Sequence, residues 1–178
     1  HDENYLRCYT NGTERVRIDS SGRLLLGTTT EGHTNTILTI ADSGNSGITI
    51  RSGTSSYGVI YFSDATSGNA EFAGFVNYNH STNELNFGTG ETHRTTIDSS
   101  GHLKPAADNS YDLGTSSLRW RNIYTGDLHL SNEAKKDTGG NDVDGTWGDY
   151  TIQEGESDLF LINNRSGKKY KFNLTEVS

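Results

Sequence analysis

The ten residues Arg15-Val16-Arg17-Ile18-Asp19-Ser20-Ser21-Gly22-Arg23-Leu24 recur as Arg94-Thr95-Thr96-Ile97-Asp98-Ser99-Ser100-Gly101-His102-Leu103, with the Ile-Asp-Ser-Ser-Gly centre intact. In each copy a β-prone run enters four turn-forming residues. The Asp side chain can hydrogen-bond its own backbone, and Gly supplies the left-handed residue that lets the chain return. One hairpin cannot bury its apolar face alone, so a chain that reuses one is expected to stack its modules or build a fibre.

Composition strengthens that constraint. Gly, Ser, Thr and Asn make up 78 of 178 residues, and only 30% of the chain is hydrophobic. Little side-chain volume is left for an ordinary core, and a net charge of −8 would favour disorder. Seventeen aromatic residues spread through alternating segments argue for order instead. The expected solution is a β-protein that completes its core with other copies of itself.

The acidic balance leaves no basic stripe for a phosphate backbone, so nucleic acid is not an expected partner. The longest apolar runs, such as Leu159-Phe160-Leu161-Ile162, are far shorter than the ~20 residues that span a bilayer, and no signal-peptide pattern opens the chain. Opening on His1, the chain reads as a trimmed or tagged fragment. Cys8 is the only cysteine, which suits assembly in a reducing cytoplasm.

Strand patterns dominate. Short strands are expected at Ile37–Ile40, Ile48–Ile50 and Val59–Phe62, and a hairpin joins Phe72–Tyr78 to Glu84–Phe87. The single proline, Pro105, follows the second copy of the repeat and marks the expected boundary between residues 1–105 and 106–178. Beyond it, Thr115–Trp120 could form one helical turn capped by a hydroxyl, with Tyr111, Leu113, Trp120 and Ile123 as a small core. Residues 132–148 read as a polar, acidic loop, and a last hairpin pairs Leu159–Ile162 with Lys169–Leu174.

Three runs carry a resemblance. They are Glu14–Thr30, Asn109–Glu133 and Gly145–Ser178; the middle one contains Tyr111-Asp112-Leu113-Gly114 and Arg119-Trp120-Arg121-Asn122-Ile123-Tyr124. Together they resemble the distal part of tail-fibre proteins of marine bacteriophages. That resemblance implies an all-β, elongated, intertwined homotrimeric fibre of β-hairpin modules, with a shaft over 1–105 and a small C-terminal β-rich head over 106–178. It implies a virion tail protein, assembled in the host cytoplasm, that joins other tail-fibre proteins and binds a host-cell surface glycan or protein. Many such fibres end in a self-cleaving chaperone with long helices. No segment here resembles one, so autoproteolysis is not carried over.

Chemistry-bearing patterns are sparse. The sequence has no Gly-rich phosphate loop, His-Glu-x-x-His, Gly-x-Ser-x-Gly or paired Cys, so neither an enzyme nor a cofactor is expected. Its 23 acidic residues could supply the carboxylate pair of a polysaccharide depolymerase, but so many candidates specify no pair. Asn141–Gly145 only faintly echoes a calcium loop, with Gly140 and Thr151 where the ligands should fall, and the histidines are dispersed, so no metal is expected. Four Asn-x-Ser/Thr sequons match the number, about four, that chance gives with 16 Asn and 41 Ser plus Thr.

The binding candidates are therefore aromatic. Trp147 and Tyr150 sit beside Asp142, Asp144 and Asp149, a grouping of flat rings with carboxylates that suits a sugar. Packing onto a neighbouring chain is the competing role for Trp147. A depolymerase and a non-binding spacer remain the alternatives to a receptor-binding fibre tip.

Overall fold

A computed structural model describes residues 4–177. Almost all regular structure is β, in three sheets. Contacts divide the chain into two units, His1–Gly53 and Thr54–Ser178. Pro105 is the last residue of a sheet inside the second unit.

The first unit holds one four-stranded sheet, with β1 (Leu6–Thr10), β2 (Thr13–Ile18), β3 (Leu24–Leu26) and β4 (Leu38–Ile40) in sequence order. Strand β4 runs parallel to β3, a pairing the sequence did not suggest. The expected strand at Ile48–Ile50 does not form. In the second unit, β5 (Tyr57–Phe62), β6 (Gly74–Asn79), β7 (Glu84–Thr89), β8 (Thr92–Ile97) and β9 (Leu103–Pro105) make a five-stranded antiparallel meander. A third sheet comprises β10 (Leu128–Ser131), β11 (Asp149–Glu154), β12 (Leu159–Asn163) and β13 (Lys169–Lys171).

The repeated turn adopts one geometry twice. Asp19 Oδ1 accepts the amides of Ser21 and Arg23 at 2.9 and 3.0 Å, and Asp98 Oδ1 accepts those of Ser100 and His102, both at 3.0 Å. Gly22 and Gly101 take φ of 79° and 85°, which side chains resist. The repeat is larger than its sequence signature. It is a three-stranded module, β1-β2-β3 and again β7-β8-β9, in which Leu6 faces Ile18 as Leu85 faces Ile97, and Ile18 faces Leu24 as Ile97 faces Leu103. Even the bulge recurs, between Cys8 and Tyr9 and between Phe87 and Gly88. The β1–β2 and β7–β8 turns place Asn11-Gly12 and Gly90-Glu91 at positive φ, as two-residue hairpin loops require.

Alternation along the strands sorts side chains onto two faces. In the first sheet Leu6, Ile18, Leu24 and Leu38 form one apolar row, and Cys8, Val16, Leu26 and Ile40 the next. The second sheet repeats this with Ile60, Val76 and Phe87 beside Tyr78, Leu85, Ile97 and Leu103. In the third, Leu128, Ile152, Leu161 and Tyr170 align. These faces stay open: Leu6, Ile60 and Leu103 are at least half exposed, and among the described residues Leu25 is the one buried hydrophobic side chain. Asn79, Asn86, Thr96 and Thr151 are the buried polar ones.

In the single chain most of the expected head core stays uncovered. Segment 106–127 forms no strand, and nothing in it covers Leu113, Trp120 or Ile123, which are exposed, Trp120 at 64%. Tyr111 lies under the Arg94 guanidinium, 5.6 Å from its ring centre, and its hydroxyl accepts from Arg94 at 3.3 Å. No helical turn forms at Thr115–Trp120, although the Thr115 hydroxyl accepts the Leu118 amide at 2.9 Å.

The turn carboxylates should report this geometry. The His102 amide above all, then the Ser100 amide and the His102 and Lys104 side chains, hold the Asp98 carboxyl down at about 2 against burial. A depressed acid contributes stability fully above its ordinary value of 3.8 and loses that contribution as pH falls through about 2. We expect a carbon-detected NMR titration to place the Asp98 midpoint near 2; a midpoint at 3.8 would contradict the turn.

Candidate functional site

The residues singled out for binding divide between a loop and a strand. Loop 136–148 is built around Asn141, whose Oδ1 accepts the amides of Val143 and Asp144 at 2.8 and 3.1 Å. Its Nδ2 donates to Asp144 Oδ1 at 2.7 Å and to the Thr146 carbonyl at 2.8 Å. Asp144 in turn accepts the Thr146 hydroxyl and amide at 2.8 and 3.0 Å. The Thr146 side chain and amide, with Asn141, hold the Asp144 carboxyl below the usual carboxylate range. Far from being an unstructured stretch, the loop is a closed network of Asx turns in which Asp144 is a structural acceptor.

Trp147 is half-buried at the end of this loop. The Arg165 guanidinium covers its ring at 3.8 Å from the centroid, and Arg165 Nη1 donates to the Trp147 carbonyl at 2.6 Å. One ring face is thus occupied by a cation from the β12–β13 turn. That turn is itself ordered by Asn163, whose Oδ1 accepts the amides of Arg165 and Ser166 at 3.1 and 3.0 Å.

Tyr150 belongs to β11. Alternation puts it on the apolar face, beside Leu130, and its hydroxyl accepts from Asn163 Nδ2 at 3.0 Å. Asp149 lies on the opposite face and accepts from Asn164 Nδ2 at 2.9 Å. Tyr150 and Asp142 line one open cavity of about 480 Å³ with Leu130, Asn132 and Lys135, whereas Trp147, Asp144 and Asp149 do not line it. The five residues therefore form no single constellation.

Sequence reasoning overlooked the amides and the arginine that set this geometry. Asn132 Oδ1 accepts the Gly148 amide at 2.7 Å, and Asn164 Nδ2 bridges Asp149 and Thr151. Asn141 followed three residues later by Asp144 was a readable turn signal. Arg165 carried none, because its partner is 18 residues away. Among the described residues no group of three or more His, Cys, Asp or Glu side chains could hold a metal ion. Among the described residues no helix is long and apolar enough to cross a membrane.

Compared with protein-family models, with curated proteins and with solved structures, the chain matches none.

Arg165→Ala should free the Trp147 ring. The lost cation–π contact amounts to about 0.5–1 kcal/mol at such a site. In a Trp120→Phe background, we expect red-shifted Trp147 emission and faster exchange of the Gly148 amide, with Arg165→Lys restoring neither fully because the planar fork is gone. Unchanged emission would mean that the stack does not hold the loop.

Proposed function

We propose that this chain is a structural and host-recognition part of a bacteriophage tail fibre, acting as a homotrimer at the virion tail and without enzymatic activity. The resemblance at Tyr111–Tyr124 supports the tail-fibre reading, and the uncovered apolar faces support assembly. Surface area is the observation that weighs most. The chain exposes 14217 Å², against about 8,500 Å² for a compact monomer of this mass, or about 10,000 Å² if its two units are scaled separately.

Three copies bringing Leu6, Ile18 and Leu38, then Ile60, Tyr78 and Leu103, against one another would remove that surface from water. They would also cover open sheet edges that otherwise invite aggregation. Leu113, Trp120 and Ile123 acquire the same role, as contacts between copies. Assembly in the host cytoplasm, joined to other tail-fibre proteins, completes the reading. A host-cell surface glycan or protein is the ligand.

Because Tyr150 sits on the apolar face, its removal should disturb assembly, whereas Trp147 projects from a loop. We expect labelled protein to bind host bacteria in an adsorption assay, and Trp147→Ala to weaken that binding about tenfold, since a few aromatic anchors dominate such contacts. Sedimentation of the same preparation should find the assembly intact. Parent protein that binds no host cell would support a spacer, and a dissociated Trp147→Ala variant would make Trp147 interface packing.

A further inference from the structure

The face of the five-stranded sheet opposite its apolar rows carries an open cleft of about 340 Å³, at the small end of ligand sites. Its walls are aromatic: Tyr57 and Tyr61 from β5, Phe75 from β6, and Phe72 from the 63–73 excursion. Phe72 approaches Tyr61 with ring centres 6.3 Å apart. The Glu91 amide donates to the Ala73 carbonyl at 3.1 Å, tying the excursion to the β7–β8 turn. Phe75 lies across Gly88, where any Cβ would collide with its ring. Gly88 thus makes the wall possible.

Beneath the rings is a polar floor fixed from below. Buried Thr96 donates its hydroxyl proton to Asn86 Oδ1 at 2.8 Å, and Asn86 Nδ2 donates to Asn77 Oδ1 at 3.0 Å. The Asn77 carbonyl is thereby engaged, and its NH₂ has no partner among the described residues. His93 Nε2 sits 2.7 Å from the Thr96 hydroxyl and 3.1 Å from the Thr95 carbonyl. A carbonyl only accepts, and the Thr96 proton is already committed, so Nε2 carries the hydrogen and Nδ1 of the neutral ring is an acceptor. Tyr57 accepts from Asn79 Nδ2 at 3.2 Å and keeps its own proton to donate. The cleft thus combines stacking rings with paired donors and acceptors, and no Asp, Glu, Lys or Arg lines it.

We infer that this cleft binds a neutral saccharide, stacking a pyranose face on Tyr61 while Asn77, His93 and Tyr57 take its hydroxyls. The corresponding face of the first module cannot do so. Where the second module has Asn86, His93 and Thr96, the first has Arg7, Glu14 and Arg17, joined as ion pairs. The inference deepens the host-recognition reading by naming a ligand class, but the cleft stands on its geometry alone.

The test titrates the full chain with cellobiose, lactose, maltose and chitobiose, and with digalacturonate as a charged control, following His93 and tyrosine ring signals by NMR. We expect saturable shifts at His93 and Tyr57 with at least one neutral disaccharide and none with digalacturonate. Tyr61→Ala should weaken that binding about tenfold while Tyr61→Phe stays within about threefold, with sedimentation unchanged in both. The inference is overturned if no neutral disaccharide binds, if the parent's shifts fall outside the cleft, if Tyr61→Ala binds as tightly as the parent, or if Tyr61→Ala dissociates the assembly, which would make the rings an interface between copies. Saccharide binding without adsorption to cells would leave this inference standing and count against host recognition.

Discussion

Everything in this structure follows from period-two alternation in sheets that have no second layer. One side of each sheet carries rows of Leu, Ile, Val, Phe or Tyr across its strands, and the single chain supplies nothing to cover those rows. Fixing the backbone costs about 1–2 kcal/mol per residue. With Leu25 as the one buried hydrophobic side chain among the described residues, burial within one copy cannot offset that cost. In the proposed trimer, other copies would supply the missing contribution with apolar rows of the same spacing.

The duplicated three-stranded module shows how one backbone accommodates two chemistries. Turn, bulge and register are kept because Asp19 and Asp98 satisfy the same two amides and Gly22 and Gly101 permit the same return. The apolar rows are kept as well, with Leu6, Ile18 and Leu24 matching Leu85, Ile97 and Leu103. Variation is confined to the opposite face, where Arg7, Glu14 and Arg17 give way to Asn86, His93 and Thr96. Charges seal the first face with ion pairs, while neutral amide, imidazole and hydroxyl groups floor a cleft in the second.

Much of the fold was legible in sequence. The repeated Ile-Asp-Ser-Ser-Gly fixed both turns, and alternation marked β5, the β6–β7 hairpin and the β12–β13 hairpin close to their observed bounds. The parallel pairing of β3 with β4 was not legible, because register between strands separated by a long loop leaves no local signal. Nor was the exposure of Leu113, Trp120 and Ile123: hydrophobicity marks what must be buried but not whether its own chain does the burying. Around loop 136–148, composition grouped Trp147 with acidic residues along the chain. It could not reveal that Tyr150 and Asp149 point to opposite faces of β11, or that Arg165 already occupies one side of the Trp147 ring.

Sedimentation equilibrium over a wide range of chain concentrations tests the central claim, that folding and assembly are one process. The account predicts a single folded species at three times the 19.5 kDa chain mass, with β-structure lost as the trimer dissociates and no folded single chain populated. A well-folded species at the mass of one chain, stable on dilution, would contradict it.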